Sequence, residues 1–171
     1  PKVDGGGATD VCWAPDGERL AISFGHDDVT SIRLHGEPTS NSIWGENGEE
    51  AVLAWHPRQP DQIVQASGSG RLALRSAKDG SFIFQQEAIK ASEIHWNPQG
   101  TDVALLSYYS LMVDVWDMDR QAKVSRAMVH PRGEMENVLN DVAWHPNGRH
   151  LAFAEEDGFV SVWDVTREEA T

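Results

Sequence analysis

The chain of 171 residues contains a single cysteine, Cys12, so no internal disulfide can form. That suits an intracellular compartment. No apolar run approaches 18 residues, which excludes a membrane-spanning helix and makes a membrane partner unexpected. Positive charge is scarce: 14 Lys and Arg stand against 27 Asp and Glu, a formal net charge of −13. Proteins that hold a phosphate backbone need basic patches, so nucleic acid is not expected as a direct partner. A basic protein surface fits the balance better. The chain opens at Pro1 without Met or a signal-peptide pattern, so its start is expected to be processed or the sequence to be an excerpt. What the chain does have is apolar residues, 40% of the total, enough to fold around a core.

Those apolar residues recur in a pattern. Trp13, Trp55, Trp96 and Trp144 each stand two positions before a proline, in "VCWAPDGERLAISF", "VLAWHPRQPDQIVQAS", "EIHWNPQGTDVALLS" and "VAWHPNGRHLAFAE". They lie roughly 40 residues apart, the period of a repeat architecture. Val11, Leu53, Ile94 and Val142 sit two residues before the tryptophans, a period-two signal for strands. Pro15-Asp16-Gly17, Pro98-Gln99-Gly100 and Pro146-Asn147-Gly148 carry turn chemistry: proline fixes φ and glycine supplies the positive φ. The second repeat has the longer turn "PRQPD". Second strands ("RLAISF", "QIVQAS", "VALLS", "LAFAE") and third strands ("TSIRL", "RLALRS", "LMVDVWD", "FVSVWD") follow. A fourth strand is predicted in "SNSIW", "SFIFQQ" and "AKVSRAMV", and none follows the last "VWDV". Each unit is thus a four-stranded antiparallel meander, the size of one propeller blade, and such sheets must stack to bury their faces.

The text of these units resembles the WD40 family. "VWD" at Val115–Asp117 and Val162–Asp164 matches the dipeptide that names it, and "WAPDG", "WNPQG" and "WHPNG" resemble its first hairpin. The resemblance covers the chain from about Ala8 to Val165, so the fold it implies is all-β: one propeller domain or part-propeller over 1–171, with blades near 8–48, 49–88, 89–130 and 137–171. The chain departs from the family in two ways. The Gly-His pair usual before the innermost strand is missing, which leaves Asp157 and Trp163 without the histidine of their network. Trp-Asp is absent from the first two repeats, where the matching positions fall near Arg33–His35 and at Arg75-Ser76. Peptidase-associated and Tol-associated propellers write a similar first hairpin and stay open as the structural alternative.

Four blades, the last without its outer strand, point to an incomplete ring. Closure by this chain alone would need Pro1–Val3 as the missing strand, hinged at Gly5–Gly7. Otherwise further blades, a partner or a second copy would cover the end faces.

Most polar clusters read as structure. His26-Asp27-Asp28 and Ser67–Gly70 sit in turns between second and third strands. His145 and His150 flank a hairpin and lack a third ligand nearby in sequence. The slot of His145 holds Ala14, His56 and Asn97 in the other repeats, a variation that suits surface. No "G-x-S-x-G" elbow is present, and Cys12 beside Trp13 reads as packed. Glu134–Asn137 fall in the longest connection. No catalytic residue, cofactor or metal is therefore expected.

The binding candidates are aromatic and acidic. Tyr108 and Tyr109 occupy a turn whose counterparts are polar, on the face where WD40 proteins usually bind partners. Glu155, Glu156 and Asp157, with His26, Asp27 and Asp28, would make that rim acidic and its ligand a basic peptide. Trp44 is a further candidate anchor. The resemblance implies a non-catalytic, intracellular (cytoplasmic or nuclear) scaffold for protein–protein interaction in a multiprotein complex. The alternatives are a propeller accompanying a catalytic domain outside this chain, and a structural part-propeller that self-associates.

Overall fold

The computed structural model describes residues 7–24, 51–68, 70–88, 90–107, 112–128, 139–156 and 158–166, with 30–34 and 41–44 described in backbone alone. Every regular element among them is a β-strand. The chain divides into two compact units, Pro1–Lys90 and Ala91–Thr171. The first unit holds two four-stranded sheets: β1 (Ala8–Trp13), β2 (Arg19–Phe24), β3 (Thr30–Leu34) and β4 (Asn41–Trp44), then β5 (Ala51–Trp55), β6 (Gln62–Ser67), β7 (Arg71–Ser76) and β8 (Phe82–Glu87). The second unit holds a four-stranded sheet of β9 (Glu93–Trp96), β10 (Asp102–Ser107), β11 (Met112–Asp117) and β12 (Ala122–Met128). It also holds a three-stranded one of β13 (Leu139–Trp144), β14 (His150–Glu155) and β15 (Val160–Asp164). All four are antiparallel meanders.

The register repeats from sheet to sheet. Trp13 pairs with Leu20 and Leu20 with Arg33. The same row reads Trp55–Ile63–Arg75, Trp96–Val103–Trp116 and Trp144–Leu151–Trp163. Arg33 and Arg75 therefore stand where the later repeats place the tryptophan of Trp-Asp. Buried Arg75 lies 3.7 Å from the centroid of the Phe82 ring, a cation–π contact in place of an indole, and burial lowers its pKa to about 10.

The first hairpins close as their residues require. The Gly17 N–H donates to the Ala14 carbonyl at 3.0 Å, and Gly100 and Gly148 donate likewise to Asn97 and His145. These glycines have φ of 74°, 77° and 70°, the left-handed region that an L side chain enters at a cost of about 1–2 kcal/mol.

Stacking follows from strand alternation. In the first unit, Cys12, Ala14 and Ala21 of one sheet pack on Leu53, Trp55, Ile63 and Ala77 of the other. The second unit packs Ala104, Leu106, Val113, Val115 and Ala127 against Leu139, Val142, Leu151, Phe153, Trp163 and Val165. In both, the tryptophan-bearing face of the later sheet meets the opposite face of the earlier one. Each large side chain so buried contributes about 1.5–3 kcal/mol, against about 1 for a turn hydrogen bond, so sheet stacking dominates stability.

The same alternation exposes the β1 residues on the other face of the first sheet. Val11 is 58% and Trp13 54% exposed, although their counterparts Leu53 and Trp55 are buried. The sequence pattern placed all four alike. Trp13 differs because, among the described residues of its unit, the second sheet packs on the opposite face of the first, which carries Cys12, Ala14 and Ala21.

Candidate partner-binding surface

The turns between second and third strands decide which side chains the repeats display. In the fourth sheet, the Gly158 N–H donates to the Glu155 carbonyl and the Glu155 N–H to the Phe159 carbonyl, each at 3.0 Å. Gly158 has φ of 86°, which lets the chain reverse tightly here. The two ends of this turn behave differently. Glu155 is only 4% exposed, and its carboxylate accepts a hydrogen bond from the Ser161 hydroxyl. The expected rim position of Glu155 is thus corrected. In register with β13 and β15 it falls on the face that carries Phe153 and packs on the third sheet, so its charge serves the hairpin. Glu156 is exposed.

Phe159 is 52% exposed two positions beyond Asp157. It was missed in the sequence, although an aromatic residue in a polar turn is the signal that singled out Tyr108 and Tyr109. Val160 and Val162, on the face of β15 turned away from the third sheet, are exposed as well. The turn therefore offers an acid beside an exposed ring, a pairing suited to the stem and head of a Lys or Arg side chain.

Tyr108, Tyr109, His26, Asp27, Asp28 and Asp157 lie outside the described residues, as do Pro1–Val3 and Glu134–Asn137. Trp44 closes β4, with its backbone opposite Thr30.

The variable slot after each tryptophan proves structural. His56 is buried, and its Nδ1 accepts the Arg58 and Gln59 N–H groups, each at 3.0 Å. His145 Nδ1 accepts the Asn147 N–H at 3.1 Å, and Asn97 Oδ1 accepts those of Thr101 and Asp102. In these three repeats a side-chain acceptor satisfies turn amides, a task His and Asn both meet, while in the first repeat, with Ala14 in the slot, Asp16 Oδ1 accepts the Glu18 N–H at 2.9 Å. The reading of this slot as plain surface is corrected for His56 and Asn97, both buried. His150 turns edge-on to His145 at 5.9 Å and bonds Asn147, so this pair belongs to its hairpin.

The Trp-Asp motif is likewise structural. Trp163 is buried and stacks on Phe153 with 6.2 Å between centroids. Asp164 takes both arms of the Arg149 fork, at 3.0 and 2.7 Å, and the Thr166 hydroxyl at 2.7 Å. The Arg149 guanidinium, with Thr166, holds its carboxyl well below the usual carboxylate range. Asp117 accepts the Arg120 N–H at 2.8 Å, closing the turn after β11.

Repeated antiparallel meanders with a common register, stacked through complementary apolar faces, define a protein of β-propeller blades. Residues 129–164 match the model of the WD40 family, "WD domain, G-beta repeat". The match spans the fourth repeat, in line with the resemblance drawn from the hairpins. The chain is similar to coronin-7 of Bos taurus, 28% identical over 156 residues that cover 85% of this chain and 16% of coronin-7. It is also similar to the cytoplasmic dynein 1 intermediate chain of Drosophila melanogaster, 25% identical over 88% of this chain and 24% of that protein. A third relative is the WD repeat-containing protein VIP3 of Arabidopsis thaliana, 26% identical over 91% of this chain and 52% of VIP3. The chain thus spans about a sixth of the length of coronin-7.

Proposed function

We propose that the chain is a non-catalytic scaffold that holds other proteins within a multiprotein complex inside the cell. The observation that carries this reading is the display at the β14–β15 turn, where exposed Glu156 and the 52% exposed Phe159 face solvent while the neighbouring Glu155 is buried. WD40 repeats are in general non-catalytic, and the motif residues described above act in turns and stacking. Similarity to a protein named as a cytoplasmic dynein chain supports an intracellular setting.

Tyr108, Tyr109, Trp44, Asp157 and the His26-Asp27-Asp28 turn extend the surface in this reading. Its acidic residues, with the net charge of −13, favour a basic peptide as ligand. The test is capture of partners with the wild-type chain and with Tyr108→Ala/Tyr109→Ala, read by mass spectrometry. Loss of the same partners from a folded variant supports the surface. An unchanged set contradicts it.

A second reading is favoured by one observation, the exposed Val11 and Trp13 on the first sheet. Large apolar groups side by side on a sheet suit burial against another blade, from a longer polypeptide or from a second copy. Light scattering on wild type and Trp13→Ala distinguishes self-association from a stable monomer.

A further inference from the structure

The repeat that departs most from its siblings at the innermost strand is the third. Three positions before each tryptophan stand Asp10, Val52, Glu93 and Asp141, and one position before it Cys12, Ala54, His95 and Ala143. In the first unit the acid is used structurally. Asp10 accepts the Val11 N–H through Oδ1 and the Leu53 N–H of the next sheet through Oδ2, each at 2.7 Å. In the second unit the arrangement changes. Asp141 accepts the Val142 N–H itself, at 2.7 Å. Glu93, one methylene longer than Asp10, instead meets His95, with 2.8 Å between Oε2 and Nε2.

We propose that Glu93, His95 and Asp141 form a divalent-cation site of the zinc type between the innermost strands of the third and fourth sheets. One ligand atom from each of the three lies within 4.8 Å of the others. Donors around tetrahedral zinc stand about 2.0–2.2 Å from the ion and hence about 3.3 Å apart, a spacing that small side-chain rotations reach from here. The donor set is one imidazole and two carboxylates, with a fourth position left for water. It suits zinc better than calcium or magnesium, which take oxygen ligands alone.

The scaffold under these ligands is fixed. The Trp144 indole N–H donates to the His95 carbonyl at 2.9 Å, which ties β13 to β9 at the ligand residue itself. In β13 the pairing with β14 shifts between Leu139 and Asp141, a bulge of the kind that re-aims a side chain. Glu93 and His95 are half-buried, at 32% and 31% side-chain exposure, so an ion can reach them from solvent. The site does not depend on the scaffold reading. It would lock two blades together.

The test is calorimetric titration of the chain with Zn²⁺, repeated with Co²⁺ to read d–d absorption. One saturable equivalent and the intense visible bands of tetrahedral cobalt are expected. His95→Ala and Asp141→Asn should each weaken zinc binding at least about tenfold. His145→Ala/His150→Ala should leave it unchanged. Asp141→Asn keeps the acceptor for the Val142 N–H, so it decides the matter if His95→Ala fails to fold. Absence of saturable binding, equal affinity in Asp141→Asn, or loss of binding in the His145/His150 variant would overturn the proposal.

Discussion

The indole N–H of Trp144 donates to the carbonyl of His95 at 2.9 Å, a hydrogen bond from the fourth sheet to the innermost strand of the third. It shows that Trp144 does more than fill space. It also ties the fourth sheet to the third, whereas Trp55 at the same repeat position bonds Pro60 of its own hairpin. Trp144→Phe keeps most of the packing and removes the donor. A loss of about 1–2 kcal/mol is expected from urea melts, made of one hydrogen bond and a smaller ring.

Trp13 and Trp55 occupy one repeat position in two environments. Trp55 is buried, packs in the core between the two sheets, donates its indole N–H to Pro60 O at 2.9 Å and lies beneath the Arg19 guanidinium. Trp55→Ala should cost about 3–5 kcal/mol. Trp13→Ala should stay within about 0.5 kcal/mol in the monomer. Equal losses in thermal melts would show that a cover for the Trp13 face exists in solution.

Asp114 is 1% exposed and takes both arms of the Arg126 guanidinium, with Nη2 to Oδ2 at 2.7 Å. Removing the cation strands a buried carboxylate. Arg126→Ala should destabilise by about 3 kcal/mol, and Arg126→Ala/Asp114→Asn by clearly less. Additive losses in the double-mutant cycle would deny the pairing.

Burial pushes the Cys12 thiol up to about 12, with the Asp10 carboxylate adding to the effect. The folded state therefore keeps its proton where the unfolded chain, with an ordinary thiol near 9, loses it. Below about pH 9 neither state ionises and Cys12 adds no pH dependence. Between about pH 9 and about pH 12 the unfolded chain releases its proton first, so stability falls as pH rises. Cys12→Ala should remove that part of the slope in urea melts, and native Cys12 should react slowly with iodoacetamide. Rapid alkylation of the folded chain would contradict the burial.

Much of the fold was legible because strands leave local marks. The third strand of the first repeat and the second strands of the first two begin and end as the apolar runs and turn residues indicate: Thr30–Leu34, Arg19–Phe24 and Gln62–Ser67. Burial was less legible, since it depends on what lies opposite a face. Val11 and Leu53 look alike in sequence, yet Leu53 packs in the core between two sheets while Val11 is exposed. Glu155 read as one of three rim acids, whereas strand parity turns it inward toward Ser161. The acceptor role of His56 stayed hidden because His, Asn and Ala alternate in that slot. Glu93 and Asp141 come together only through the stacking of two sheets, which no local spacing reveals.

The scaffold account is tested most directly by the binding of fluorescent Lys- and Arg-rich peptides, followed by anisotropy at rising salt. Wild type should bind a basic peptide with an affinity that falls as salt rises. Tyr108→Ala/Tyr109→Ala and Phe159→Ala/Glu156→Gln should each weaken it by about tenfold or more, while acidic peptides fail to bind. Equal binding by wild type and both folded variants, or no preference for basic over acidic peptides, would contradict the account.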